Sequence, residues 1–158
     1  MTVAKVESFS LDHDAVQAPY VRLAGREFGD KGDQISKFDL RFLQPNQAEL
    51  PTGAMHTLEH LLAAYMRDYL DHIIDISPMG CRTGYYMVVW GAPTNEEVAK
   101  ALKSALEDVV KSTWEDVQGT ERKQCGNYRD HSLVGAHEYA KQVLADGIST
   151  DAFERQVV

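Results

Sequence analysis

The chain has 158 residues, 44% of them apolar, and a formal net charge of −8 with histidines neutral. That length suits one domain better than two, and its apolar content supplies a single core without disulfides. The acidic balance, with no Lys/Arg cluster, excludes the basic footprint of a nucleic-acid binder, and no apolar run reaches the ~18–20 residues of a membrane span.

Glu7, Asp12 and Asp14 interrupt any apolar stretch of a secretory signal, so the expected location is the cytoplasm. There Cys81 and Cys125 are expected as free thiols rather than as one disulfide. Val21 to Phe28 reads as a strand, and Gly29–Asp33 as a turn. From Lys37 to Leu43 apolar residues alternate with polar ones, Phe38, Leu40 and Phe42 against Asp39 and Arg41, as in a half-buried strand. Met55 to about Leu70 reads as a helix, because Leu58, Leu62, Tyr65, Met66 and Tyr69 recur at 3/4 spacing. A short β-branched run, Ile73–Ile76, leads to a loop at Ser77–Cys81. Tyr85 to Trp90 fits a buried strand, with Tyr85 and Tyr86 both read as core. Thr94 and Glu97 form a capping-box pattern ahead of a helix whose stripe is Val98, Ala101, Leu102, Ala105, Val109 and Val110. Lys123–Gly126 is read as loop, and Ser132 to about Leu144 as a last helix ending near Gly147. Strands and helices mix without strict alternation, and no G-x-G-x-x-G follows a strand. The expected class is α+β: a mainly antiparallel sheet packed against helices, one two-layer domain over residues 1–158.

The chemistry points to His56-Thr-Leu-Glu-His60. On a helix, positions i and i+4 share a face, so both imidazoles can converge on one ion, with Glu59 close to that face. Two neutral imidazoles suit Zn, Fe, Ni or Co, and a catalytic site wants a third protein ligand and an open position. The plain alternative is a pair of histidines on a surface helix. Cys125 and Glu138 both qualify as third ligand; Glu138 would suit a zinc metallopeptidase of the H-x-x-E-H type. Cys81, on a Gly-containing loop, is a candidate proton carrier or a structural thiol. His72, His131 and His137 read as ordinary polar positions.

Several segments together resemble the S-ribosylhomocysteine lyase (LuxS) family. They are residues 6–13, 18–22 and 37–41, the His56–Leu62 motif, Asp75–Tyr86 and Lys123–Gly126, in the family's order; the last thirty residues match loosely. The resemblance implies a metal held by His56, His60 and Cys125, Fe(II) natively, one per subunit, with Zn or Co as substitutes and no organic cofactor. It implies Cys81 and Glu59 as acid–base residues. Ser8, His13 and Arg41 would line the substrate site, Arg41 and Ser8 helping to set the ionisation of Cys81, and Asp75 would lie near the homocysteine end. It implies a homodimer with active sites at the subunit interface. The implied reaction moves a carbonyl along the ribose chain of S-ribosylhomocysteine, then expels homocysteine by β-elimination. That leaves 4,5-dihydroxy-2,3-pentanedione, the precursor of the quorum-sensing signal autoinducer-2. A metallopeptidase would leave both cysteines without roles. A non-catalytic metal module would leave Glu59 and Cys81 without roles.

Overall fold

The computed structural model describes residues 2–158. A short helix, α1 (Glu7–Ser10), precedes strands β1 (Tyr20–Phe28) and β2 (Gln34–Arg41). Helix α2 (Thr52–Tyr69) connects them to β3 (Ile73–Pro78) and β4 (Gly84–Trp90). Helix α3 (Asn95–Lys111), a 3-10 turn (Trp114–Asp116) and α4 (Leu133–Asp146) follow. The α+β expectation holds: four antiparallel strands lie in the order β1-β2-β4-β3.

Alternation along the strands assigns each side chain to a face. Phe38, Leu40, Tyr85, Met87 and Val89 turn inward and are buried with Leu58, Leu61, Leu62 and Met66 of α2. Val98, Leu102, Ala105 and Val109 of α3, with Ala136, Ala140 and Val143 of α4, complete that core. Helices cover this face of the sheet. The opposite face carries Lys37, Asp39, Arg41, Tyr86 and Val88. Tyr86 therefore departs from the expected core position: it is half-exposed, with the Lys37 ammonium 3.9 Å from its ring centroid. Adjacent residues in a strand cannot both face one core, so only Tyr85 is buried there.

Boundaries moved modestly. β2 begins at Gln34 and ends at Arg41, because hairpin pairing with β1 starts at Phe28–Gln34. Helix α2 begins at Thr52, immediately after Pro51, whose fixed φ suits a helix entrance. Ser77 and Pro78 belong to β3 rather than to the loop, since they pair with Tyr86 and Tyr85. The capping box of α3 forms as expected, Glu97 N–H donating to Thr94 Oγ1 at 3.1 Å and Thr94 N–H to the Glu97 carboxylate at 2.7 Å. At Gly84 the two central strands approach so closely that a Cβ would sit 2.2 Å from the Leu40 carbonyl oxygen. No helix among the described residues is long and apolar enough to cross a membrane.

Candidate active site and metal centre

The helical spacing of His56 and His60 does what the sequence suggests. Their rings lie edge to face, 4.5 Å between centroids. His56 Nδ1–H donates to the Asp130 carbonyl at 2.8 Å, and His60 Nδ1–H to the Gln118 carbonyl at 2.6 Å. A carbonyl only accepts, so each Nδ1 carries the hydrogen and each Nε2 keeps a free lone pair. Backbone carbonyls thus fix both tautomers as metal-ligating histidines require.

Cys125 arrives from the segment between α3 and α4. A turn in which Gln124 and Cys125 N–H both donate to the Glu121 carbonyl presents its thiol to the helix. Its Sγ lies 3.3 Å from His56 Nε2. A tetrahedral ion bonded to one nitrogen and one thiolate sulfur holds those atoms about 3.5 Å apart, so the spacing fits a metal. His131 joins the group: donor atoms of His56, His60, Cys125 and His131 all lie within 4.8 Å of one another. Glu138 is exposed and paired with Lys141 at 2.9 Å, away from this cluster. The metallopeptidase reading loses its third ligand with it.

His131 corrects its reading as an ordinary polar residue. Its ring stacks on His56, 4.0 Å between centroids and 16° from parallel. Its Nδ1 meets Thr57 Oγ1 at 3.0 Å, and that hydroxyl also accepts from Ser132 N–H at 3.0 Å. Its Nε2 is buried with no hydrogen-bond partner. Burial, and then the neighbouring charges of His56 and His60, push His131 down to about 4. The ring is therefore neutral at physiological pH.

A second group of polar side chains lies across the sheet. Asp39, fully buried, accepts from Arg41 Nε at 3.1 Å and Nη2 at 2.8 Å, from Arg22 Nη2 at 3.2 Å and from the Tyr20 hydroxyl at 3.2 Å. Two guanidinium groups compensate a carboxylate that alone would be prohibitively costly to bury. Burial pulls Arg41 down, but its bonds to Asp39 and the charges of Asp39, Tyr20 and Cys81 outweigh that and hold it above its ordinary value. Its third nitrogen, Nη1, donates to Thr83 Oγ1 at 3.0 Å, and Thr83 Oγ1 lies 3.1 Å from Cys81 Sγ. Cys81 is exposed, in a turn closed by Arg82 N–H on the Met79 carbonyl at 2.9 Å. Arg82 has φ +60°, an unfavourable left-handed conformation for a residue with a Cβ. His13, Arg41 and Cys81 line one cavity of about 390 Å³.

The sequence-based site residues are thus only partly gathered. His56, His60 and Cys125 converge, and His13, Arg41 and Cys81 converge. Glu59 lines the cavity beside His60. Ser8 lies at a separate depression beside Lys37 and Val88 on the open sheet face. Asp75 is exposed and accepts from the Ser77 hydroxyl, away from both groups. Thr57, Thr83 and His131 are the contributors that sequence reasoning missed. A histidine six residues after Cys125, at the entrance to a helix, was the one available signal.

Comparison with known proteins places these residues in context. The family model described as S-Ribosylhomocysteinase (LuxS) matches residues 6–154, well beyond the segment to residue 126 that carried the resemblance. S-ribosylhomocysteine lyase of Ligilactobacillus salivarius (strain UCC118) is 61% identical over 99% of this chain and 100% of its own length. The Pediococcus pentosaceus lyase is 60% identical over 99% of this chain and 100% of its own, and that of Lactobacillus acidophilus 59% over the same shares.

Proposed function

Because the chain belongs to the S-ribosylhomocysteinase (LuxS) family, we propose that it cleaves the thioether of S-ribosylhomocysteine to homocysteine and 4,5-dihydroxy-2,3-pentanedione, serving the activated methyl cycle and autoinducer-2 signalling from one domain in the cytoplasm. The observation that carries this reading is the convergence of His56, His60 and Cys125 with their tautomers fixed by backbone carbonyls. Two imidazoles and a thiolate suit Fe(II), with Zn or Co able to take its place, one ion per subunit. When bound, the metal supplies Lewis-acid stabilisation of charge developing on the sugar oxygens.

The chain's own groups move the protons. The C–S bond is hard to break while the carbonyl is at C1, because no group beside the departing sulfur stabilises a carbanion. The carbonyl must migrate from C1 to C2 to C3, each shift removing a proton next to a carbonyl and returning one to the neighbouring atom. Cys81 and Glu59 are the two groups that take and give these protons, on opposite sides of the sugar. With a ketone at C3, loss of the adjacent proton expels homocysteine. His13, Arg41 and Ser8 orient the sugar, and Asp75 lies towards the homocysteine end.

The sites are completed in a homodimer. Cys81 with His13 and Arg41, and Glu59 with His60, line cavities that share no residue. The open sheet face and its borders expose Phe9 and Trp90 and leave Val88 half-exposed, an apolar surface for a second copy.

The deciding experiment is thiol release from S-ribosylhomocysteine by anaerobic Fe(II)- or Co(II)-loaded protein, with Cys81→Ala alongside. Catalytic release is expected from the wild type. The variant should lose about 10²-fold or more, the range for a missing general acid–base group, with its metal content unchanged. No release by fully metallated wild type would sink the lyase reading.

A further inference from the structure

We propose that Thr83 is the residue through which the buried Arg41 guanidinium acts on Cys81, its hydroxyl donating to the sulfur and holding it as a thiolate. This rests on the assignment of Cys81 as an acid–base group and adds a positioning residue to it.

Arg41 is a donor only. Asp39 takes Nε and Nη2 in a two-pronged contact, which pins the guanidinium plane and leaves Nη1 aimed at Thr83 Oγ1, 3.0 Å away. The hydroxyl thereby spends a lone pair on Arg41. Its single proton has one partner within reach among the described residues, Cys81 Sγ at 3.1 Å. A hydroxyl already donated to by a cation is polarised into a better donor, and a donor at sulfur favours the thiolate. Arg41 makes no direct hydrogen bond to Cys81 among the described residues, so the hydroxyl is the link between them.

The link is also rigid. Thr83 is 4% exposed. Its carbonyl receives Phe42 N–H at 2.9 Å and Leu43 N–H at 3.0 Å, tying the turn to the end of β2 next to Arg41. The charge of Cys81 is among the causes that raise Arg41, so the sulfur lies within electrostatic reach of the guanidinium.

The test is the pH profile of Cys81 alkylation by iodoacetamide, read on the Cys81 peptide by mass spectrometry, in metal-loaded wild type, Thr83→Val and Thr83→Ser. Thr83→Val should move the midpoint up by about one pH unit, equivalent to about a tenfold loss of thiolate below the midpoint. Its kcat should fall by a similar factor with KM nearly unchanged, and Thr83→Ser should restore both. If Thr83→Val does not fold, because Arg41 Nη1 is left buried without an acceptor, Thr83→Ala leaves room for water there and is read the same way. A valine or alanine profile superimposed on wild type, or a serine variant that behaves like valine, overturns the proposal. Alkylation requires no substrate. A wild type that releases no homocysteine therefore defeats the lyase reading, while the coupling of Thr83 to the thiol is still decided by the profile.

Discussion

His131 is held neutral by its surroundings, and that has a consequence for stability. Its ring lies against His56, and burial with two histidine neighbours pushes it down to about 4, against an ordinary value of about 6.5. As pH falls through 6.5 the unfolded chain takes up a proton that the folded chain refuses. Stability is lost from about pH 6.5 down to about 4 and the loss levels off below that. Metal-free protein should therefore show a urea midpoint that declines across this window, and the decline should be shallower in His131→Gln. His56 and His60 are present in both proteins, so the difference between the curves reports residue 131 together with its coupling to them. Parallel curves would refute the assignment. The sequence gives His56 and His60 away because four residues of helix bring them together, a local period that can be read directly. His131 and Thr83 have no such period. His131 reaches the cluster only because Ser132 N–H docks on Gly53 and Thr57, seating α4 on α2. Thr83 reaches Arg41 only because β2 and β4 pair with Arg41 opposite Gly84.

The segment between α3 and α4 shows how an element with little regular structure can gather the side chains of a candidate metal site. Gln118 orients His60 through its carbonyl, Cys125 supplies the thiol, and Asp130 orients His56. Gly119 makes the first of these contacts possible. Its φ is +72°, and a Cβ there would stand 3.0 Å from both Cε1 and Nδ1 of His60. Alanine would be strained in the backbone and crowd the ring whose Nε2 would face an ion held by the cluster. Gly119→Ala should weaken metal binding by about tenfold to a hundredfold, the usual consequence of disturbing a ligand's support, measured by competition with a chelator. Unchanged affinity would mean that the segment adapts and that His60 is positioned by α2 alone. The strands and the three long helices are legible in the sequence from alternation, 3/4 spacing and the Thr94–Glu97 box. This segment is not, because its conformation is set by carbonyls meeting side chains more than fifty residues away, as Gln118 meets His60. Only the resemblance to a known family singled out Cys125 over Glu138 before the fold was seen.

At the scale of the whole molecule, the sheet separates the histidine–cysteine cluster from the group around Cys81. Helices cover the face on which Tyr85 and Leu40 are buried, and the histidine motif belongs to that layer. Arg41 and Asp39 turn to the other face, where the cavity at Cys81 opens. Under the proposed roles, a proton would have to pass between Cys81 and a substrate at His56 and His60, and a packed core between them bars that. A second copy can bring its own metal layer against the open face, giving two equivalent sites under the two-fold symmetry usual for homodimers. Each site would then combine Cys81 from one copy with Glu59 from the other. This arrangement makes an unusual demand on mixed dimers. Cys81→Ala and Glu59→Gln are each expected to be nearly inactive as homodimers. Co-expressed, half of the dimers should be mixed, and each of these would contain one site with both defects and one with neither. Activity should return to about a quarter of wild type, from half the dimers carrying one intact site of two. If Cys81 and Glu59 instead serve the same site from the same chain, every site in the mixture carries a defect and no activity returns.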